Sequence, residues 1–206
     1  METWLRGYCL ARDLPEPERV PEGFWLEVAK PQQAGRFILR KFDPAAIEAL
    51  INRITEPAVY IEFPGTAAQA SPLLPHGWSL RDDAYLMEQS FRSVAMPNAT
   101  EVDGYIFTER SRANGLEVDV RTTGGAVMAH GCYAAFDGFA VFDQIATEPA
   151  HQHHGIGRAI LTRLAAHATS RAIPKGLLVA TEAGRGLYTA AGWTEVSPII
   201  SMISSV

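Results

Sequence analysis

A glycine-containing segment in the C-terminal half of the chain has residue types and a spacing suited to binding phosphate. It is Gln152-His153-His154-Gly155-Ile156-Gly157-Arg158. Glycine has no Cβ atom, so a ligand can approach the backbone closely at Gly155 and Gly157. The first N–H groups of a helix have no partner within it, and the helix dipole adds positive charge there. The segment therefore predicts a binding site for a phosphate or pyrophosphate. The alternative is an ordinary strand-to-helix turn, which also uses glycine.

The sequence on either side of this segment predicts the elements that must position it. Aromatic and β-branched residues from Phe139 to Thr147 favour a largely buried strand, which Pro149 ends because proline cannot donate to a ladder. From Ile156 onward the period is 3.6, and the apolar face holds Ile156, Ile160, Leu161, Leu164, Ala165 and Ala168. The opposite face holds Arg163, His167 and Arg171. A strand, a glycine turn and an amphipathic helix are expected.

Two motifs in this region resemble those of the GNAT superfamily of acyl-CoA-dependent N-acyltransferases. Gln152-x-x-Gly155-x-Gly157 resembles the family signature Q/R-x-x-G-x-G/A. The later run from Thr181 through Tyr188 to Gly192-Trp193 resembles N-x-x-A-x-x-x-Y-x-x-x-G-F, with threonine in the asparagine position. The resemblance covers roughly residues 118–193. It implies a transferase that moves an acetyl group from acetyl-CoA to a primary amine of a small molecule or protein.

The resemblance also implies which residues bind acetyl-CoA. The pyrophosphate would be bound by backbone amides of the glycine segment, with Gln152, His153, His154, Gly155, Ile156, Gly157 and Arg158. The pantetheine amides would pair with backbone groups of Ile145, Ala146 and Thr147. Thr181 would contact the cofactor from the position of the family's asparagine.

Two residues are the candidates for catalysis. By resemblance, the amine attacks the thioester directly, and Tyr188 protonates the departing thiolate, for which a phenol is suited because it is a donor at neutral pH. A buried aromatic whose hydroxyl is satisfied is the alternative for Tyr188. Asp143, on the Phe139 strand, is the candidate general base, with Gln144 and Glu148 as second choices. Water or another group could accept the proton instead.

Three nearby histidines raise the question of a metal site. His151, His153 and His154 lie within four residues, but no acidic or cysteine ligand stands at a fixed helical spacing to them. We therefore expect no metal. Because imidazolium is lost on titration, we expect the affinity for acetyl-CoA to fall as pH rises from about 6 to 8.

The remaining sequence predicts an α/β (α+β) fold with a mixed, mostly antiparallel central sheet flanked by helices. Strands are expected at Tyr105–Thr108, Leu116–Arg121 and Ala126–Ala134, with a hairpin turn at Asp137-Gly138. Leu177–Thr181 suits a parallel neighbour of the Phe139 strand. The family usually places helices between its first two strands, and residues 110–116 are too few for them.

The N-terminal half, residues 1–97, carries a strand–helix–strand extension. Phe37–Leu39 and Val59–Phe63 are predicted strands, and Asp43-Pro44 is a good start for the helix between them. Residues 65–77 are predicted to be loop, and the joint Met96-Pro97-Asn98 marks a boundary to an acetyltransferase domain at 98–206. The extension is interpreted as a degenerate copy of the fold, a substrate lid or a dimerisation surface. The last of these implies a homodimer.

Composition limits the class of protein. The chain has 206 residues, a net charge of −5 and no basic tract, which argues against nucleic acid as the main partner. Two cysteines make no disulfide framework, so a cytoplasmic location is expected. No apolar run reaches membrane-spanning length. Besides an acetyltransferase of bacterial type, two alternatives stay open: a catalytically inactive acyl-CoA sensor, and an interaction protein that binds no CoA.

Overall fold

A computed structural model describes residues 1–30, 32–91 and 101–205, in which a single mixed sheet of twelve strands is flanked by helices. The N-terminal half contains helices α1 (Glu2–Ala11), α2 (Pro44–Arg53) and α3 (Ala67–Ala70) and strands β1 (Glu18–Val20), β2 (Gly23–Lys30), β3 (Gln33–Ile38), β4 (Val59–Pro64), β5 (Trp78–Leu80) and β6 (Ala84–Ser90). The C-terminal half contains β7 (Tyr105–Arg112), β8 (Gly115–Thr122), β9 (Val127–Phe136), β10 (Phe139–Thr147), α4 (Ile156–Ser170), β11 (Lys175–Thr181), α5 (Glu182–Ala190) and β12 (Thr194–Ser204). Two 3-10 turns lie at Ser71–Leu73 and Pro149–His151.

The C-terminal half has the arrangement that the sequence predicts. Strands β7 to β10 form an antiparallel meander, and β10 pairs in parallel with β11 through the crossover helix α4. The turn between β9 and β10 uses Asp137 and Gly138, both with positive φ (48° and 76°), as a tight hairpin requires. The apolar face of α4 packs on this sheet in a buried cluster that includes Val118, Phe142 and Ile160. The predicted α/β fold with a mostly antiparallel sheet is confirmed.

The N-terminal half repeats part of this connectivity. Strand β2 pairs antiparallel with β3, and β3 pairs in parallel with β4 through the crossover helix α2. Helix α2 begins where the sequence predicts, because the side chain of Asp43 accepts the Ala46 N–H at 3.2 Å and Pro44 is the first helical residue. The order β2-β3-α2-β4 therefore matches the order β9-β10-α4-β11 of the C-terminal half.

The two halves exchange their last strands. The strand order across the middle of the sheet is β3-β4-β12-β6-β11-β10. Strand β6 of the first half pairs antiparallel with β11, while β12 of the second half pairs antiparallel with β4. The exchanged strands also pair with each other, for example Ile199 with Ala84. Each half thus completes the sheet of the other.

Helix α1 is the element that the sequence analysis missed. Its buried residues pack against β9 and β10, on the sheet face opposite α4. Gly7 permits this contact, because a Cβ atom there would lie 2.2 Å from Cγ2 of Val141. Strands β7 and β8 form a direct hairpin, so no helix between them can cover this face of the meander. Among the described helices, α1 covers it instead.

Two further expectations were wrong. Residues 65–77, predicted to be loop, contain α3, which starts with a capping box between Thr66 and Gln69. Arg163, placed on the polar face of α4, is only 6% exposed: its guanidinium lies over the Phe107 ring and pairs with Glu101 at 2.9 Å. The predicted joint at residues 96–98 lies outside the described residues.

Candidate functional site

Strands β10 and β11 separate halfway along their length. They pair only from Phe139 with Lys175 to Val141 with Leu177, whereas β11 continues along β6 as far as Thr181. On the edge that pairs with β9, β10 has a β-bulge, with one extra residue between Asp143 and Ala146. Within the described chain, the edge of β10 that faces β11 is therefore not paired beyond Val141. Ile145, Ala146 and Thr147 lie on this open edge, where the sequence analysis placed the pantetheine contacts.

The N terminus of α4 lies just beyond this open edge. Its N-cap residue, Gly155, has a left-handed conformation (φ 80°) that L side chains rarely adopt. In the part of the chain that the structure describes, no side chain caps the helix. Its first backbone hydrogen bond runs from the Ala159 N–H to the Gly155 carbonyl at 3.0 Å. The amides from Gly155 to Arg158 are therefore available to an anion.

The side chains of the glycine segment mainly order the loop itself. Gln152 donates from Nε2 to the Thr147 carbonyl at 3.1 Å, which ties the segment back to β10. His154 Nδ1 lies 2.8 Å from the carbonyl oxygen of Gln152. His153 and Arg158 are exposed. The predicted pyrophosphate residues are thus together in one loop, with two of the side chains engaged in holding its shape.

Thr181 has a structural role at the start of α5. Its hydroxyl accepts the Gly184 N–H at 3.2 Å, which caps the helix that carries Tyr188. A cofactor contact from this exposed side chain, as the sequence analysis expects, would be made in addition to the cap.

Tyr188 is buried between α5 and the sheet, with 8% of its surface exposed and its ring 6.1 Å from that of Trp193. Burial raises the pKa of Tyr188 to about 12, and the negative charge of Asp143 adds to the shift. The phenol is therefore protonated across the physiological range. A protonated hydroxyl is the form that a general acid requires.

Asp143 lies on the α1 side of the sheet, where an arginine holds it. Arg12 directly follows α1, and its Nε lies 2.5 Å from Asp143 Oδ2, while Nη2 lies 3.1 Å from Oδ1. The side chain of Asp143 is 16% exposed. Both carboxylate oxygens of Asp143 are therefore engaged by the guanidinium of Arg12. Asp143 as the base remains a prediction, and this contact disfavours it.

A cleft of about 330 Å³ lies beside this ion pair, between the end of α1, the β2–β3 hairpin and the exposed face of β8 to β10. We call it the α1 cleft, and its polar lining includes Arg12, Lys30, Arg112, Glu117, His130 and Gln144. Among these, Gln144 is the residue that was predicted from the sequence as a site residue. The period-two alternation of β8 could have placed Glu117 and Asp119 on one face, but no sequence signal connects Arg12 to Asp143, 131 positions away.

The second choices for a base lie apart from each other. Gln144 has a positive φ of 57° at the bulge and donates to the Ala11 carbonyl at 3.4 Å, so its side chain is directed toward α1. Glu148 is exposed and precedes the glycine segment.

The described residues contain neither a metal-ligand cluster nor a membrane-spanning helix. Among residues 1–30, 32–91 and 101–205, no group of three or more His, Cys, Asp or Glu side chains is placed to hold a metal ion. His151 Nδ1 instead lies 2.8 Å from the hydroxyl of Tyr105. In the same residues, no helix combines the length and the apolar character that crossing a bilayer needs.

Comparison with known proteins agrees with this geometry. Residues 114–195 match the family model of an acetyltransferase (GNAT) domain, and no curated protein matches the sequence. A GCN5-related N-acetyltransferase from Kribbella flavida is 14% identical with a TM-score of 0.67, over 99% of this chain and 93% of that one. A GNAT-family protein from Novosphingobium aromaticivorans is 12% identical with a TM-score of 0.61, over 100% and 97%.

A third similar structure is a tandem GNAT protein from the clavulanic acid biosynthesis pathway. It is 9% identical with a TM-score of 0.57, and the match covers 78% of this chain and 67% of that one. At these identities the structures show a common fold. The family model therefore assigns residues 114–195, which include the glycine segment and α4, to a GNAT acetyltransferase domain, and the similar structures share the fold of the chain.

Proposed function

We propose that the protein is an N-acetyltransferase that moves the acetyl group of acetyl-CoA to a primary amine. The observation that carries the proposal is the combination of an unpaired β10 edge with a glycine-capped helix start at its end. Backbone groups of Ile145, Ala146 and Thr147 would pair with the pantetheine amides. The free amides from Gly155 to Arg158 would bind the pyrophosphate, which needs such a positive helix end because the whole chain is acidic.

The chemistry proposed is direct attack of the amine on the thioester, with Tyr188 as the general acid. Its hydroxyl stays protonated because burial and the charge of Asp143 raise its pKa. The acceptor would enter from the α1 cleft, on the sheet face opposite α4. The wall of this cleft comes partly from the N-terminal half, so that half would help to select the acceptor.

We also propose that residues 1–91 are a degenerate copy of the GNAT fold. The repeated order of strands and helices and the mutual exchange of β6 and β12 support this view. The copy would not bind CoA, because Asp43 and Pro44 occupy the start of α2 where α4 has Gly155 and Gly157. This proposal predicts one acetyl-CoA per chain in isothermal titration calorimetry, and two sites would contradict it.

A catalytically inactive acyl-CoA sensor is the second candidate. Two observations favour it: Arg12 holds the carboxylate of Asp143, and Thr181 replaces the family's asparagine and serves as a helix cap. An interaction protein that binds no CoA would retain the fold but not the ligand.

Two measurements distinguish these possibilities. Unfolding with and without acetyl-CoA tests binding, because a ligand at 100 times its Kd adds about 2.7 kcal/mol to the free energy of unfolding. Release of the CoA thiol in the presence of polyamines, amino acids, aminoglycosides or peptides tests transfer. Binding with release supports the enzyme, and binding without release supports the sensor. No stabilisation by acetyl-CoA would contradict both.

A further inference from the structure

The α1 cleft contains a histidine–aspartate pair that the sequence analysis did not identify. His130 on β9 and Asp119 on β8 are cross-strand partners, and Nδ1 of the histidine lies 2.7 Å from Oδ1 of the aspartate. An ionised carboxylate only accepts hydrogen bonds, so Nδ1 carries the hydrogen and the lone pair of the neutral ring is on Nε2. Among the described residues, Nε2 has no hydrogen-bond partner.

The position of His130 relates it to the open edge of β10. His130 is the cross-strand partner of Ala146, the first residue paired again after the bulge. Cross-strand partners have side chains on the same face, and His130 lines the α1 cleft from the strand next to β10. Its side chain is 31% exposed, so both a substrate and water can reach it.

The other acidic groups around the cleft are already paired with arginine. Asp143 is held by Arg12, Asp13 by Arg112, and Glu117 by both Arg110 and Arg112. Lys30 also lines the cleft and is a cation. The thiol of Cys132 faces the same side, and burial raises its pKa to about 12. In the described part of the cleft, the imidazole of His130 is therefore the group that combines a free lone pair with a carboxylate partner that fixes its tautomer.

We infer that His130, held in its tautomer by Asp119, is the catalytic base that takes a proton from the acceptor amine. The inference rests on the proposed acetyl transfer. The incoming ammonium gives one proton to Nε2, and the nitrogen lone pair forms the C–N bond at the thioester carbonyl. When the C–S bond breaks, the electron pair goes to sulfur, which takes the proton of the Tyr188 hydroxyl. The phenolate recovers a proton from the nitrogen that becomes the amide, and His130 returns its proton to water.

The test compares His130→Gln with Asp119→Asn. The control is His76→Gln, because His76 is exposed and lies far from His130 in the sequence. The substrates are acetyl-CoA and the fastest amine of the thiol-release panel, both saturating, from pH 5.5 to 9. For the wild type, kcat should fall at low pH as the base is protonated. His130→Gln should move the acidic limb to the higher pH at which the amine itself loses its proton, and should lower kcat at pH 7 by about 10²- to 10⁴-fold. The control should match the wild type.

The pH profile of Asp119→Asn distinguishes a role of this pair in proton transfer from a purely structural role. Loss of the carboxylate destabilises the imidazolium, so the acidic limb should move to lower pH while the limb itself is kept. Stabilisation by acetyl-CoA should be equal in all variants, which shows that the fold and the nucleotide site are intact.

The outcomes separate the base from the proposed function. If the wild type releases CoA with an amine and His130→Gln keeps the acidic limb at the same pH, the role of His130 is overturned and the acetyltransferase stands. A His130→Gln rate that is lower by the same factor at every pH also overturns the base. If no amine in the panel is acetylated by the wild type, the proposed function and the base are overturned together.

Discussion

Arg12 and Asp143 form a bidentate ion pair that connects the end of the first helix to the bulged strand of the candidate active site. The guanidinium also lies 4.6 Å from the centroid of the Tyr8 ring. The two residues belong to opposite halves of the chain. The pair therefore links the N-terminal half to the strand on which the candidate site is built. After burial, the negative charge of Asp143 is the second cause that raises the pKa of Tyr188.

Loss of this ion pair should destabilise the protein measurably. We expect Arg12→Ala to lower the free energy of unfolding by about 1–3 kcal/mol, because it leaves a mostly buried carboxylate without its partner. Arg19→Ala is the control, since the Arg19 side chain is 63% exposed and such a pair contributes less than about 1 kcal/mol. Urea unfolding measures both. Equal losses in the two variants would contradict the role of the pair.

The glycine segment should be required for binding acetyl-CoA. A Cβ atom on Gly157 would lie 3.2 Å from Leu187 Cδ2, so Gly157→Val should force the start of α4 and its neighbour α5 apart and close the anion seat. We expect acetyl-CoA to give this variant no stabilisation in thermal unfolding.

The matched control is Gly124→Ala, in the turn between β8 and β9. A Cβ atom there would find its nearest neighbour at 3.6 Å, which is ordinary contact. This variant should keep the full stabilisation by acetyl-CoA. A Gly157→Val protein that is still stabilised would remove the glycine segment from the site.

Removal of the Tyr188 hydroxyl should slow turnover without weakening binding. We expect Tyr188→Phe to lower kcat by roughly 10²- to 10⁴-fold, since the thiolate then leaves without a proton donor. Tyr60→Phe, on β4 in the N-terminal half, should leave kcat unchanged. Steady-state thiol release measures the rates and acetyl-CoA titration measures the affinities. Full activity in Tyr188→Phe would exclude the phenol as the acid.

The buried phenol should also make the protein sensitive to alkali. The unfolded chain releases the Tyr188 proton near 10.0, whereas the folded protein holds it to about 12. Between these values the folded state binds more protons, so the free energy of unfolding falls as pH rises. At about 1.4 kcal/mol per unit, the loss from this residue is roughly 2–3 kcal/mol. Tyr188→Phe should lose that much less than the wild type in urea unfolding from pH 10 to 12.

The histidines of the glycine segment should make acetyl-CoA binding depend on pH near neutrality. We expect affinity to fall about two- to fivefold as pH rises from about 6 to 8, because exposed imidazolium groups next to the phosphates lose their charge. Calorimetric titration measures the change. A His153→Gln/His154→Gln double variant should show a flatter dependence, and a flat wild-type titration would count against the contribution of these side chains.

The sequence by itself determined the local elements around the glycine segment. The alternation of β8, the Asp137-Gly138 turn, the 3.6-residue period of α4 and the glycines at its start each act over a few residues, where propensity and backbone sterics decide the structure. For the same reason α2 was found from Asp43 and Pro44. Helix α1 was missed because Gly7 lowers its helix propensity, and only its packing against Val141 explains that glycine.

Only the tertiary structure decided which residues meet in the α1 cleft. Arg12 reaches Asp143 because α1 covers the sheet face that the short β7–β8 hairpin leaves open, and His130 meets Asp119 through the register of β8 and β9. The exchange of β6 and β12 likewise depends on pairing between segments more than a hundred residues apart. Such contacts are set by the burial of whole faces and by strand register. No pattern within a short window of the sequence contains that information.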